Sequence, residues 1–354
     1  MKLFLRHREI KYSPREYRDM RETKATLPDV LMKRPLLFTV IPLRDSKTGD
    51  KEHDEKILRN LEARKVEVAK AVQEVGRLNA ISVPELVEEN HEGKPRYNSV
   101  YTRALARGIA DILNLDAVVN KVVAHIDTYQ KFIDWIEETS FYGIRNMIFV
   151  GGNTRHHRYP GPSISEANVI ARKFWEKKHN EPITIGNISL PERRDEAKRM
   201  LFKTITGAQF FTTQMLFDSS GIINLLNEYS KLCEIASVKP ATVIFSFAPL
   251  RSTQDLNLLD FLGVDLPEEK KVDILEGRDV HAAARRSIYN SIKVFGEIMT
   301  EIERSGINVP VGVNVEQLTK SNLQSSVQML KEFALVIDMT AQEIQAHSEM
   351  LRGD

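Results

Sequence analysis

One polar side chain follows a short apolar run near the middle of the chain. The segment KTITGAQFFTTQMLFD, residues 203–218, reads as a helix end, the turn residue Gly207, an apolar strand to Thr213, and then Gln214. Side chains just past the carboxyl end of a parallel strand face the ligand in open sheets and in barrels. Gln214 is therefore a candidate ligand contact, and an ordinary loop amide is the alternative.

Amides, hydroxyls and glycines recur at the other predicted strand ends. Clustered carboxylates are few, so we predict no metal site. The adjacent His156 and His157 lie beside Arg155 and Arg158, whose charges would oppose a cation. The strand-end candidates are Thr39, Arg44, Glu85, His125, Asp127, Gly151, Gly152, Asn153, Ser189, Glu192, Gln214, Asp218, Ser246, Arg251, Asn314 and Glu316.

The chemistry that these residue types favour is recognition of a flat, amide-bearing ring. Asn and Gln facing one cavity each supply a donor and an acceptor, which suits a heterocycle such as a pterin. Glycines at residues 151 and 152 would let a flat ligand approach the backbone closely. The GGN segment at 151–153 lacks the spacing of a phosphate-binding loop.

A regular alternation of strands and helices must position these residues. Apolar runs of strand length occur at 36–42, 79–84, 117–124, 146–152, 183–189, 209–213, 241–247 and 309–314. Helical patterns follow them at 54–77, 101–113, 128–138, 163–178, 193–206, 222–236, 256–262 with 282–305, and 321–346. Strands that are apolar on both faces and joined by helices indicate a parallel sheet. Eight such units predict an α/β fold, a single (β/α)8 TIM barrel, with an open doubly wound sheet as the alternative.

Composition limits the class of protein. We expect an extension at residues 1–35, one barrel domain at 36–346 and a tail at 347–354. A net charge of +1 gives no indication of a nucleic acid or a membrane as partner. The lone Cys233 fits a reducing compartment, and no signal peptide or membrane-length apolar run is found. We therefore expect a cytoplasmic protein that forms a homo-oligomer or is a subunit of a complex.

The segment at 203–218 resembles the K-x-x-x-GA-x-F-x-x-TQ-x-x-FD segment of the methylenetetrahydrofolate reductase family. The resemblance extends in register over about residues 36–325, through LLFTVIPLR, FVGGN, ISLPE and FLGVDLPEE. It implies a TIM barrel that reduces methylenetetrahydrofolate to methyltetrahydrofolate with a flavin and a nicotinamide donor. It also implies that Gln214 contacts the pterin and that Lys203 lies on the flavin side.

Several positions depart from the family where its chemistry takes place. The family's acidic glutamate on the first strand falls on Thr39, and its Arg-Gly-Asp at the fourth strand end falls on residues 151–153. A flavin-contacting histidine falls on Val122 and a flavin-side tyrosine on Leu190. The resemblance therefore implies that the usual flavin site is weakened or lost, and FAD is not expected as a cofactor.

Two functions remain open, with an unrelated barrel enzyme as a third. The first is a divergent methylene-pterin reductase in one-carbon metabolism that takes hydride directly from NADH or NADPH. Its acid would be Glu85, with Glu316 and His125 as lesser alternatives. The second is a non-redox protein that binds a reduced folate or a related pterin, as a methyl-transfer partner or a subunit of a larger reductase complex. The predicted site consists of Glu85, Thr39 and Asn153 as catalytic residues, Gln214, Asn153, Gly152, Ser246 and Asn314 as substrate-binding residues, and Gly151, Leu190 and Lys203 as cofactor-binding residues.

Overall fold

Eight parallel strands close into a barrel in the computed structural model. It describes residues 26–43, 50–89, 94–97, 101–152, 159–261, 263–264, 266, 268–276 and 279–352. Around the barrel the order is β1, β10, β9, β8, β7, β6, β5, β2, with β2 and β1 closing the ring. The barrel strands are β1 Leu36–Thr39, β2 Ala80–Val83, β5 Asp116–Val122, β6 Asn146–Val150, β7 Thr184–Ser189, β8 Phe210–Met215, β9 Thr242–Phe247 and β10 Val311–Glu316. The predicted (β/α)8 barrel is confirmed.

Helices connect the strands and cover the outside of the barrel. They are α1 Leu27–Val30, α2 Lys51–Val72, α3 Thr102–Leu113, α4 Tyr129–Ser140, α5 Ile164–His179, α6 Glu196–Ile205, α7 Ser220–Ile235, α8 Thr253–Phe261, α9 Glu268–Leu275, α10 Val280–Ser305, α11 Leu323–Val336 and α12 Ala341–Arg352. Local signals set several of their starts. Ser163 and Glu166 form a capping box at the start of α5. No helix in the described part of the chain is both long enough and apolar enough to cross a membrane.

Alternation along the strands separates two of the three apolar clusters in the described part of the chain. The larger cluster fills the space between the strands and the surrounding helices. The smaller one fills the barrel interior and consists of Leu37, Ala80, Val118, Ile148, Phe210 and Ile244, with Leu27, Val30 and Leu31 at one end. Gly186 allows this packing, because a Cβ there would lie 2.4 Å from the Phe210 ring. Since side chains alternate along a strand, residues two positions further on also face the interior.

The amino-terminal end of the barrel is closed by residues that we predicted to lie outside it. The Leu27 amide donates to Asp116 Oδ2 at 2.7 Å, and the Thr242 hydroxyl donates to the Leu31 carbonyl at 2.9 Å. Residues 26–35 therefore form the barrel floor instead of an external extension. Residues 1–25 of the predicted extension lie outside the described residues.

Three local elements differ from the sequence prediction. The closing helix is two helices, because Thr340 begins a new one by bonding Glu343, while Arg34 binds the carbonyls of Ile337 and Met339. The second of these helices continues through residue 352, past the predicted start of the tail. A short antiparallel hairpin, β3 Val87–Glu89 and β4 Pro95–Tyr97, and the helix α9 were not predicted.

Candidate functional site

A chain of hydrogen bonds crosses three neighbouring strands inside the carboxyl-terminal end of the barrel. The Thr39 hydroxyl donates to Asn314 Oδ1 at 2.9 Å. The Asn314 amide donates to Ser246 Oγ and to Glu316 Oε1, each at 3.1 Å. We call these four residues, Thr39, Asn314, Ser246 and Glu316, the polar arc. Thr39, Asn314 and Ser246 were predicted site residues, and the structure links them through Asn314, which bonds the other two.

Glu316 is the carboxyl group of the polar arc. It ends β10, two residues beyond Asn314, and its Cα is the register partner of Thr39 on β1. Burial raises its pKa, and hydrogen bonds from Ser246 and Asn314 oppose part of that rise. In the described part of the chain no neighbouring charge shifts its pKa. The arrangement therefore favours the protonated form of this carboxyl group more than solvent would.

Gln214 lies in an irregular part of β8, the strand that pairs with β9. Three steps along β8, from Thr212 to Met215, oppose two steps along β9, so one extra residue is inserted there. Such a bulge interrupts the ladder and re-aims side chains. The Ser246 amide bonds the Thr213 hydroxyl at 2.9 Å, and the Met215 amide bonds Gln214 Oε1 at 3.2 Å. The residues on either side of Gln214 thus contact Ser246, Thr213 through its hydroxyl and Met215 as the register partner.

A cavity of about 350 Å³ opens against Gln214 at the carboxyl ends of β7 and β8. Its volume lies in the range of roughly 300–1,000 Å³ that is usual for small-molecule sites. Apolar and polar groups both line it, among them Leu190, Glu192, Gln214, Phe217 and Val264. Gln214 and Leu190, predicted from sequence as ligand-binding residues, therefore border one cavity.

A larger cavity, of about 580 Å³, lies at the opposite end of the barrel. Met32, Arg172, Gln209 and Lys239 are among its lining residues, close to α1 and to the starts of β8 and β9. Active sites of such barrels lie at the carboxyl ends of the strands. The polar arc and the smaller cavity are at that end, so we take them together as the candidate site.

Glu85 forms a largely buried ion pair with Lys121, away from the polar arc. Its Oε1 lies 2.7 Å from Lys121 Nζ, and its Oε2 accepts the Val122 amide at 3.0 Å. Lys121 alternates with Asn120 and Val122 along β5 and lies 5.8 Å from the Trp135 ring of α4. The pair therefore lies on the outer side of the sheet. This placement does not support the prediction that Glu85 is the acid, because both carboxylate oxygens accept hydrogen bonds and face away from the interior.

The two glycines after β6 differ in their surroundings. A Cβ at Gly152 would lie 2.1 Å from Cζ of Tyr159, whereas one at Gly151 would meet only Ile164, at 3.8 Å. The Tyr159 ring in turn packs edge-on against His125, with 5.1 Å between the ring centroids. Tyr159 therefore fills the space that we predicted a flat ligand would use at Gly152. Asn153 lies outside the described residues, so its two predicted roles stay predictions.

Lys203 is bonded within the layer between α6 and the barrel. Its ammonium donates to the Ile188 carbonyl at 2.8 Å and lies 3.4 Å from Glu196 Oε1. Burial lowers its pKa, and Glu196 opposes that change. The ammonium is thus engaged by the protein itself. Its predicted role on the flavin side stays a prediction.

No group of three or more His, Cys, Asp or Glu residues in the described ranges could hold a metal ion. Residues 156 and 157 lie outside those ranges. Glu85 was preferred to Glu316 because its strand lies next to the first barrel strand, yet β10, which carries Glu316, pairs with that strand as well. The signal that would have separated them is alternation: Glu316 shares a strand face with Asn314, two residues earlier.

Comparison with known proteins shows similarity in structure alone. No protein-family model and no curated protein matches the chain. A structure of an uncharacterized protein from Clostridium thermocellum, which binds two copies of 5-methyl-5,6,7,8-tetrahydrofolic acid, matches with a TM-score of 0.66 and 17% identity. The match covers 88% of this chain and 99% of that one. EDTA monooxygenase from Chelativorans sp. BNC1 matches with a TM-score of 0.46 and 10% identity, over 88% and 98% of the two chains. At this identity the Clostridium match establishes the barrel fold, and membership of the methylenetetrahydrofolate reductase family stays a prediction.

Proposed function

We propose that this protein binds a reduced folate or a related pterin at the carboxyl-terminal mouth of the barrel. The observation that carries the proposal is that the polar arc and the cavity bordered by Gln214 both lie at the carboxyl-terminal end of the barrel. A pterin ring displays alternating donors and acceptors on one edge and apolar faces above and below. An amide with both hydrogen-bonding functions and a cavity with apolar walls complement those two features.

The cavity volume defines which part of the ligand it would take. At about 350 Å³ it suits the bicyclic head, and the longer tail would extend toward solvent. The Clostridium protein of the same fold binds methyltetrahydrofolate, which supports this ligand class. Because that protein binds two copies, a titration of this chain should also measure how many folate molecules bind per chain.

We further propose that the reaction is reduction of a methylene-pterin to a methyl-pterin. A nicotinamide donor, NADH or NADPH, would supply the hydride when bound; we assign no residue to it. The residues present do not match a flavin site well. Lys203, the cation that the resemblance puts on the flavin side, is held by the Ile188 carbonyl and Glu196. We therefore derive no step through a flavin.

Calorimetric titration of the purified protein with 5-methyltetrahydrofolate tests the binding proposal. We expect saturable binding in the wild type and a loss of affinity in Gln214→Ala. Absence of binding to the wild type would refute the proposed function. The absorption spectrum of the same sample reports whether a flavin copurifies, which would return the flavin-dependent reaction to consideration.

A non-redox binding protein is the second candidate function. The structural similarity to the Clostridium protein, which binds 5-methyl-5,6,7,8-tetrahydrofolic acid, favours this second function. Oxidation of NADH or NADPH in the presence of methylenetetrahydrofolate separates the two candidates. Turnover selects the reductase, whereas binding without turnover selects the binding protein or the subunit of a larger complex.

A further inference from the structure

We propose that Glu316 donates the proton to the bound pterin, taking the place of the carboxyl group that the reductase family carries on its first strand. This inference rests on the proposed function, because it assigns the acid for that reaction. Neither the sequence resemblance nor the structural comparison assigns a role to this residue.

Register carries the first part of the argument. The position that matches the family's acidic residue is Thr39, and the Cα partner of Thr39 across the β1–β10 pair is Glu316. Adjacent strands lie about 4.8 Å apart, so Glu316 places a carboxyl group on the strand next to Thr39, directly across from it. It faces the interior with Asn314, whose side chain bonds both Thr39 and Glu316. The carboxyl group is thus displaced by one strand and kept at the same level of the barrel.

The surroundings of Glu316 favour its protonated form. The groups of the polar arc that bond Glu316 are an amide and a hydroxyl, which are uncharged. Burial raises the pKa of Glu316, so more of it remains protonated near neutral pH than an ordinary glutamate would. Glu85 has different surroundings, since it faces outward and is paired with the ammonium of Lys121. General-acid catalysis favours a donor with a pKa near the working pH.

The proposed step is balanced in atoms and charge. The Glu316 O–H bond breaks and an N–H bond forms on the leaving nitrogen of the methylene bridge, as the bond from that nitrogen to the methylene carbon breaks. The remaining iminium carbon accepts a hydride from the nicotinamide donor, which is oxidised while the methylene group is reduced to methyl. The Glu316 carboxylate then regains a proton from water.

The first experiment compares turnover and binding in Glu316→Gln. Glutamine keeps the shape and an acceptor but cannot donate an acidic proton. We expect kcat to fall by roughly 10²–10⁴-fold, and the Kd for 5-methyltetrahydrofolate to change by less than about threefold. Glu228→Gln, which removes an exposed carboxylate from α7, is the matched control and should leave both unchanged. Wild-type turnover in Glu316→Gln would overturn the assignment.

The second experiment measures Glu316 itself through the pH dependence of stability. A raised pKa means that the folded protein binds more protons than the unfolded chain between about pH 4.5 and the raised value. Wild-type stability relative to Glu316→Gln should therefore fall as pH rises through that window, in denaturant unfolding without any ligand. A constant difference would overturn the inference. If the wild type does not bind folate, the proposed function is overturned instead. Failure of the inference about Glu316 and failure of the proposed function are therefore distinguishable.

Discussion

Replacing Glu85 by glutamine should weaken the fold and leave the chemistry intact. Glu85 and Lys121 are each 11% accessible in their side chains and lie 2.7 Å apart. Removing one partner of a buried ion pair costs about 3–5 kcal/mol, and here the Lys121 ammonium would lose its contact with the Glu85 carboxylate. Glutamine still offers an oxygen to the Val122 amide, so we expect a loss of roughly 2–3 kcal/mol in the free energy of unfolding.

That loss converts into a measurable change in melting temperature. An unfolding entropy of roughly 2.1 cal/mol/K per residue gives about 0.74 kcal/mol/K for 354 residues. Calorimetry should therefore show Glu85→Gln melting about 3–4 °C lower than wild type. The double variant Glu85→Gln/Lys121→Met should recover a large part of the loss, since the charge left behind is removed as well.

Turnover provides the decisive contrast for this variant. With Glu85 on the outer side of the sheet, kcat should stay within about threefold of wild type at a temperature where both proteins are folded. The control Glu228→Gln should change the free energy of unfolding by less than about 0.5 kcal/mol. If Glu85→Gln abolished turnover without lowering the melting temperature, the reasoning from its ion pair would be refuted and Glu85 would return as the acid.

Three further variants test other parts of the structure. Gln214→Ala should weaken 5-methyltetrahydrofolate binding by roughly 5–100-fold in calorimetric titration, as one or two hydrogen bonds are lost; unchanged affinity would remove Gln214 from the site. Gly152→Ala should lower the free energy of unfolding by about 1–3 kcal/mol, because its Cβ would lie 2.1 Å from Cζ of Tyr159. The control Gly76→Ala, whose Cβ would have no atom within 4 Å, should leave the stability unchanged, and equal melting temperatures of the two variants would contradict this packing. Burial lowers the pKa of Lys203, so between that lowered pKa and about pH 10.5 the folded protein binds fewer protons than the unfolded chain. Wild-type stability relative to Lys203→Met should therefore rise with pH through that window, and a flat difference in denaturant unfolding would contradict the sign.

The barrel could be predicted from sequence because its signal is repeated and redundant. Eight apolar runs separated by helical patterns specify the class even when individual boundaries are off by a few residues. The floor at residues 26–35 was not predictable in the same way. Leu27, Val30 and Leu31 form less than two turns, and only the tertiary contacts with the barrel interior reveal their role.

The candidate site depended on details finer than the strand boundaries. The last strand runs to residue 316, two residues further than predicted, which puts Glu316 on the interior face instead of in a loop. Because side chains alternate with a period of two, such small shifts decide whether a carboxyl faces the cavity or the helices. Glu85, two residues past the end of β2, turned out to face Lys121 for the same reason. Gln214 was predicted to follow a strand that ends at Thr213, whereas β8 runs to Met215, and its bulge was not visible in the sequence.

The hydrogen bond between Thr39 and Asn314 joins residues that are 275 positions apart along the chain. It lies on the pairing between the first and the last barrel strand, so the polar arc is assembled only when the ring closes. Pairing between distant segments forms slowly, because the entropy of closing a long loop must be overcome first. A ligand held by the arc would then stabilise the closed state relative to forms in which β1 and β10 have separated. Protection of these two strands from hydrogen exchange should increase when folate is present. Exchange at the β1–β10 pairing would therefore report whether the site is occupied by ligand.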